Sequence, residues 1–276
     1  MNFKEQCFNI LDKHMKKDLT EFWLETFNKP DIWRFTSRFQ IYDFETKLRQ
    51  YYYTSLGIRF GNALEEIVYN FLLDNGAEFL NRRGEVEHKD CDQIFMYQNK
   101  VVLIEQKIRD DHDSSKKEGQ VQNFLMKKET LENKYDNVYC SFWFIDDCVT
   151  KNRNYYSKQL AQELCYGAEI EKFLQTIFED NRAEGFVQEL ETILEEYAIN
   201  FKTVNIFENV YLDYSEIAPK TLYFLWKNEK ILAQVVHFFF DDTQPSNEEI
   251  LAYLKTRRGK YAKDLIEFLE EKKNAE

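Results

Sequence analysis

Asp92, Glu105 and Lys107 are the residues of this sequence whose types and spacing could do hydrolytic chemistry on a phosphate ester. Two carboxylates supply hard oxygen donors of the kind that Mg²⁺ takes, and Mg²⁺ keeps several waters when protein ligands are few. Such a cation stabilises charge building on a phosphate and lowers the pKa of its bound water. A lysine beside it can orient that water and offset the extra negative charge. Its own proton affinity answers to burial and to neighbouring charge.

These side chains need elements that bring them together. Residues 94–97 read as a short strand, 98–100 as a polar turn and 101–108 as a strongly apolar second strand, a hairpin pattern. A turn at that place sets Asp92 opposite or nearly opposite Glu105. Strand side chains alternate between faces, so Glu105 and Lys107 share one face. Directly opposed residues approach to roughly 5 Å between Cβ atoms. Asp92, Glu105 and the carbonyl of residue 106 could then hold one divalent cation, with Lys107 beside it.

Taken alone, an Asp followed at a distance by Glu-x-Lys is a common pattern and also fits a surface ion pair. Its neighbours add weight. Val101-Val102-Leu103-Ile104 reads as a central strand, and packing gives no reason for acid and base at its end. The segment 109–119, read as a polar loop ahead of a helix over 120–133, follows at once. There Lys116 and Lys117 could contact phosphates, and Ser114 and Ser115 could donate to phosphate oxygens. Asp110, Asp111 and Asp113 offset much of that positive charge.

The run Ile104-Glu105-Gln106-Lys107-Ile108-Arg109-Asp110-Asp111-His112-Asp113, with Ser-Ser-Lys-Lys-Glu-Gly-Gln after it, resembles type II restriction endonucleases of the PD-(D/E)xK nuclease superfamily. The resemblance covers about 57–133. Cys91 stands where the pattern's name has proline. It implies Asp92, Glu105 and Lys107 as catalytic residues, with Asp92 and Glu105 on Mg²⁺. The superfamily's helix before the first core strand commonly offers a further acid, here Glu65 or Glu66 on a helix over 57–74, with Glu65 preferred. Arg109, Ser114, Ser115, Lys116, Lys117 and Gln120 become the DNA-contacting set. The implied activity is cleavage of double-stranded DNA at a short specific sequence, in a restriction–modification system. A homodimer would match a palindromic target.

The fold class expected is α/β: a central mixed β-sheet flanked by helices, with N- and C-terminal helical additions. One nuclease domain over 1–276 is expected, its catalytic core at about 57–150. Residues 1–55 read as mostly helical with an interruption at Lys29-Pro30-Asp31, 77–80 and 137–145 as strands, and 155–178 and 183–197 as helices. Residues 221–226 and 231–240 read as a second hairpin. A terminal helix follows, capped by Ser246 or Asn247.

Composition bounds the rest. The chain has 276 residues, 43% hydrophobic and 16% aromatic, with only 3 Pro and 8 Gly, so a large core without long linkers is expected. No apolar run spans a bilayer and the first residues lack a secretory signal, which points to the cytoplasm. The 5 cysteines form no C-x-x-C pair and read as reduced thiols. A net charge of −12 argues against coating DNA non-specifically, yet a site-specific enzyme needs only a locally positive groove.

Further basic groups could reach DNA: Arg82, Arg83, His88 and Lys89; Arg153 and Lys158 with Tyr155-Tyr156; and Arg257-Arg258-Gly259-Lys260. Each also fits a solvated surface. His112 reads as a residue behind the site or in solvent, and the aromatic runs 51–53 and 238–240 as core. Two other functions fit the same features: a structure-specific repair or recombination nuclease, and a non-catalytic nucleic-acid-binding module.

Overall fold

A computed structural model describes residues 2–29, 42–81, 90–201, 205–240 and 243–275. Arg82, Arg83, His88, Lys89, Pro30 and Asp31 lie outside them. The chain divides into two compact units, where the sequence suggests one domain: Met1–His14 with Ile58–Lys202, and Met15–Gly57 with Thr203–Glu276.

The first unit is built on a five-stranded mixed sheet in the order β1-β2-β3-β4-β5: Glu78–Phe79, Gln93–Tyr97, Lys100–Lys107, Val138–Phe144 and Leu164–Tyr166. β1, β2 and β3 are antiparallel neighbours, and β3, β4 and β5 run parallel. The β2–β3 hairpin pairs Tyr97 with Lys100 across a two-residue turn, with Gln98 at φ 55°. Tight hairpins require positive φ there. The parallel step to β4 is bridged by α4, Ser114–Glu132.

Alternation along β3 splits the core in two. Val102 and Ile104 join Ala63, Leu64, Ile67 and Val68 of α3 (Phe44–Asp74) on one face, together with α1 (Phe3–Met15), α6 (Glu169–Phe178) and α7 (Phe186–Asn200). On the other, Leu103 packs with Ile94, Phe142 and Phe144 under Val121, Phe124 and Leu131 of α4 and Tyr156 of α5 (Arg153–Leu160). Helices on both faces explain why the middle of β3, Val101-Val102-Leu103-Ile104, is an unbroken apolar run instead of alternating.

Two readings of this unit need correction. The helix expected over 155–178 is broken: α5 ends at Leu160 and the short strand β5 precedes α6. The loop expected over 109–119 ends early, because Asp113 caps α4 by accepting from the Lys116 amide at 2.9 Å. Asp at this position satisfies an amide that the first helical turn leaves unpaired.

The second unit is helical. α2 (Leu19–Asn28) and the first part of α3 share a core with α8 (Pro219–Trp226), α9 (Glu229–Phe239), α10 (Asn247–Lys255) and α11 (Lys260–Ala275). The hairpin expected over 221–240 is therefore a pair of helices. Leu232, Val235, Val236 and Phe239 are buried at helical spacing, Pro219 opens α8, and the Asn228 side chain caps α9. The start of α10 follows expectation, with a capping box between Ser246 and Glu249.

Candidate active site

Gln93 pairs with Ile104, and continuing that register sets Asp92 opposite Glu105 at the end of the hairpin. The structure brings the three residues together. Lys107 Nζ lies 2.8 Å from Asp92 Oδ2, 2.9 Å from Glu105 Oε1 and 2.9 Å from the Gln106 carbonyl. Asp92 Oδ2 also accepts from the Gln106 amide at 3.0 Å, which fixes the carboxylate to β3. Burial alone would lower the pKa of Lys107, but the charges of Glu105 and Asp92 outweigh it and hold the ammonium well above the usual lysine value. With both carboxylates beside it, Lys107 is held as a cation and donor.

Three oxygens of two carboxylates and a carbonyl converge on a single positive charge. The donor set is hard and anionic, which fits a divalent ion such as Mg²⁺. Asp92, Glu105 and the Gln106 carbonyl are the groups that would hold one.

Glu65 occupies a different position. It lines a cavity of about 220 Å³ with Gly61, Asn62, Gln106, Lys107 and Ile108. The Gln93 side chain donates to the Glu65 carbonyl at 2.8 Å and to Gln106 Oε1 at 3.2 Å, which ties α3 to the hairpin. Among the described residues, Glu65 does not converge with Asp92 and Glu105 as a three-carboxylate cluster. The reason is topological: α3 covers the Ile104 face of the sheet, whereas Glu105 projects towards α4. Glu66 turns away, held by Lys13 at 2.8 Å and His14 at 2.7 Å.

Lys127 is the residue that sequence reasoning missed. It is 1% exposed, and its ammonium takes the second oxygen of Glu105. A lysine in a charged helix reads as solvated, but one signal was available. Lys116, Gln120, Asn123 and Lys127 recur at three- and four-residue spacing, a polar stripe along α4. Asn123 Oδ1 is enclosed within that stripe without a hydrogen-bond partner.

The expected DNA-contacting residues divide. Arg109, Ser115 and Lys116 are exposed, and Ser114 opens α4. Lys117 and Gln120 are turned inward instead. Lys117 donates to Asn152 Oδ1 at 3.0 Å, and Gln120 accepts from Tyr156 at 3.1 Å. Tyr156 is fully buried and Arg153 is paired with Glu169, so neither is a free DNA contact.

Behind the site lies a buried polar network. Asp110, with no exposed surface, accepts from the Asn152 amide, the Asn152 side chain and the Tyr166 hydroxyl at 2.6, 2.8 and 3.0 Å. Burial and then the charge of Asp110 push the Tyr166 hydroxyl above its ordinary pKa, so it remains a donor. The cluster clamps the segment leaving β3 to the start of α5. It also removes Asp110 from the surface, where it was expected to offset the lysines.

His112 belongs to this network, buried between Gln120 and Tyr156. Burial and the charge of Lys116 depress its pKa, with Lys107 acting the same way against Asp111 and Asp110. The folded protein therefore holds a neutral ring, whereas the unfolded chain takes up a proton near the ordinary value of about 6.5. Stability from this group is complete above that value and is lost as pH falls below it towards the depressed folded pKa. Thermal melts across this window should show a decline that His112→Gln flattens. An identical slope in the variant would remove His112 as its source.

A mixed five-stranded sheet with helices on both faces, and two acids with a lysine at the end of its hairpin, define a restriction-endonuclease-like α/β fold. Residues 74–196, somewhat less than half of the chain, match the family model Type II restriction endonuclease, HinfI. The protein is restriction-endonuclease-like over this stretch, and the match supports a type II restriction endonuclease. It includes Asp92, Glu105, Lys107 and Lys127. The chain matches no curated protein and no solved structure.

Proposed function

We propose that the protein is a type II restriction endonuclease that hydrolyses phosphodiester bonds of double-stranded DNA at a short specific sequence, using Mg²⁺. The observation that carries this reading is the convergence of Asp92, Glu105 and the Gln106 carbonyl on one positive charge, within the stretch similar to a restriction endonuclease family.

Asp92, Glu105 and the Gln106 carbonyl would hold the cation, and Glu65 of α3 lies beside Gln106 and Lys107, outside that donor set. When bound, Mg²⁺ supplies charge stabilisation for the phosphate and a more acidic water. Lys107, its ammonium beside both carboxylates, would orient the attacking water and offset negative charge on the phosphate. Lys127 fixes the second oxygen of Glu105. Arg109, Ser114, Ser115 and Lys116 meet backbone phosphates, and Lys117 and Gln120 support them from behind. A cytoplasmic homodimer within a restriction–modification system accounts for cutting both strands, since each site cuts one.

The test is to incubate the purified protein with plasmid and phage DNA, with Mg²⁺ or with EDTA. Discrete, reproducible fragments that vanish in EDTA are expected. A preference for branched substrates would replace this reading with a structure-specific nuclease. No cutting in any divalent metal would end it.

A further inference from the structure

The second unit carries a concentration of positive charge that the cleavage chemistry does not use. From Lys255 to Lys263, 5 of 9 residues are Lys or Arg and none is acidic, in a chain of net charge −12. They occupy the last residue of α10, the turn after it and the first turn of α11.

The packing explains how the patch is presented. α10 buries Ile250 and Leu254, and α11 buries Ala262, Leu265 and Leu269. Lys255, Arg257, Arg258, Lys260 and Lys263 fall at the remaining positions and are all exposed. The turn depends on Gly259, whose φ of +121° is strained for any other residue. Arg257 is pre-positioned, its guanidinium 4.9 Å from the Tyr253 ring and donating to the Ser215 carbonyl at 3.3 Å. Lys220 adds a further cation next to Tyr261, 5.5 Å from its ring.

Apart from the contacts of Arg257, the fold draws no ion pairing from this patch. Among the described residues, Lys255, Arg258, Lys260 and Lys263 make no ion pair. Cations in the first turn of a helix oppose its dipole, and α11 has no acidic residue there. Clustered like charges also repel one another. Such a patch is complementary in charge to a polyanion.

We infer that Lys255, Arg257, Arg258, Lys260 and Lys263 form a docking surface for the phosphate backbone of duplex DNA. The inference rests on DNA being the substrate proposed above. Lysine and arginine contacts to phosphate carry no sequence information directly, so the patch supplies affinity and leaves sequence reading to other residues. Binding through it releases counterions, which ties affinity to salt with a slope of about 0.9 per phosphate neutralised.

The experiment measures binding of the full-length protein to a labelled duplex in EDTA, between roughly 50 and 200 mM salt. The triple variant Arg258→Gln, Lys260→Gln, Lys263→Gln spares Arg257 and its packing. It should bind roughly tenfold more weakly or worse, with a slope lower by about 2–3. The charge-preserving variant Arg258→Lys, Lys260→Arg, Lys263→Arg should keep both affinity and slope. Equal affinity and slope in the neutral variant would overturn the proposal, as would a preference of the patch for single-stranded RNA. Loss of binding in the charge-preserving variant would also overturn it, by showing that shape and not charge matters. A wild-type protein that never cuts DNA, yet loses binding with the patch, would sink the nuclease reading and leave this one standing.

Discussion

Glu105→Gln is expected to cut DNA at least about a thousandfold more slowly than the unaltered protein while binding it with little change. The substitution keeps the size of the side chain and removes the charge that Lys107 and Lys127 both contact. Lys107→Met should lose as much for a different reason. Its ammonium is pinned between two carboxylates and the Gln106 carbonyl, so it serves as a fixed donor. Raising Mg²⁺ should recover part of the Glu105→Gln loss, where a ligand is weakened, and none of the Lys107→Met loss. Single-turnover cleavage over a range of Mg²⁺ separates the two. Wild-type rates in both variants would refute the assignment of the site.

The second large effect is on stability. Lys127 is almost completely enclosed and has Glu105 as its ionic partner. Removing one member of a buried ion pair leaves the other charged and unpaired, at a cost of about 3–5 kcal/mol. Lys127→Met should fall near the lower end, because Glu105 retains Lys107. Glu105→Gln should also destabilise, since Lys127 then has no carboxylate. The double variant Lys127→Met, Glu105→Gln should recover most of the loss, an interaction that a double-mutant cycle in urea would read directly. Strictly additive losses would mean that the two charges are not coupled. In that case Lys127 would be a packing residue only.

The site was legible in the sequence where its determinants are local. The β2–β3 hairpin follows from a short strand, a polar turn and an unbroken apolar run, and counting back from that turn sets Asp92 opposite Glu105. What could not be read depends on contacts made across the fold. Lys127 is separated from Glu105 by the whole crossover into α4, and its residue type argues for solvent. Asp110 looks like one more acid in a charged stretch, and only the return of the chain at Asn152 and Tyr166 makes it an anchor. The misreading of 221–240 has a similar origin. Tyr223, Phe224, Val235, Val236 and Phe238 have strand-like propensities, but each helix is decided by which positions meet the core. Burial at three- and four-residue spacing overrides them.

The interleaving of the two units bears on how the protein is made. Phe22, Trp23, Phe27, Phe44, Leu48 and Tyr52 belong to a core completed by residues from Ile206 to Leu269. On the ribosome, these apolar side chains emerge early and stay uncovered while the intervening sheet is synthesised. The first unit has all its residues once Lys202 has appeared, so it can fold before the other is complete. Ending translation near that point would release the sheet-bearing unit with the apolar side chains of α2 and the first part of α3 uncovered, a surface that favours aggregation.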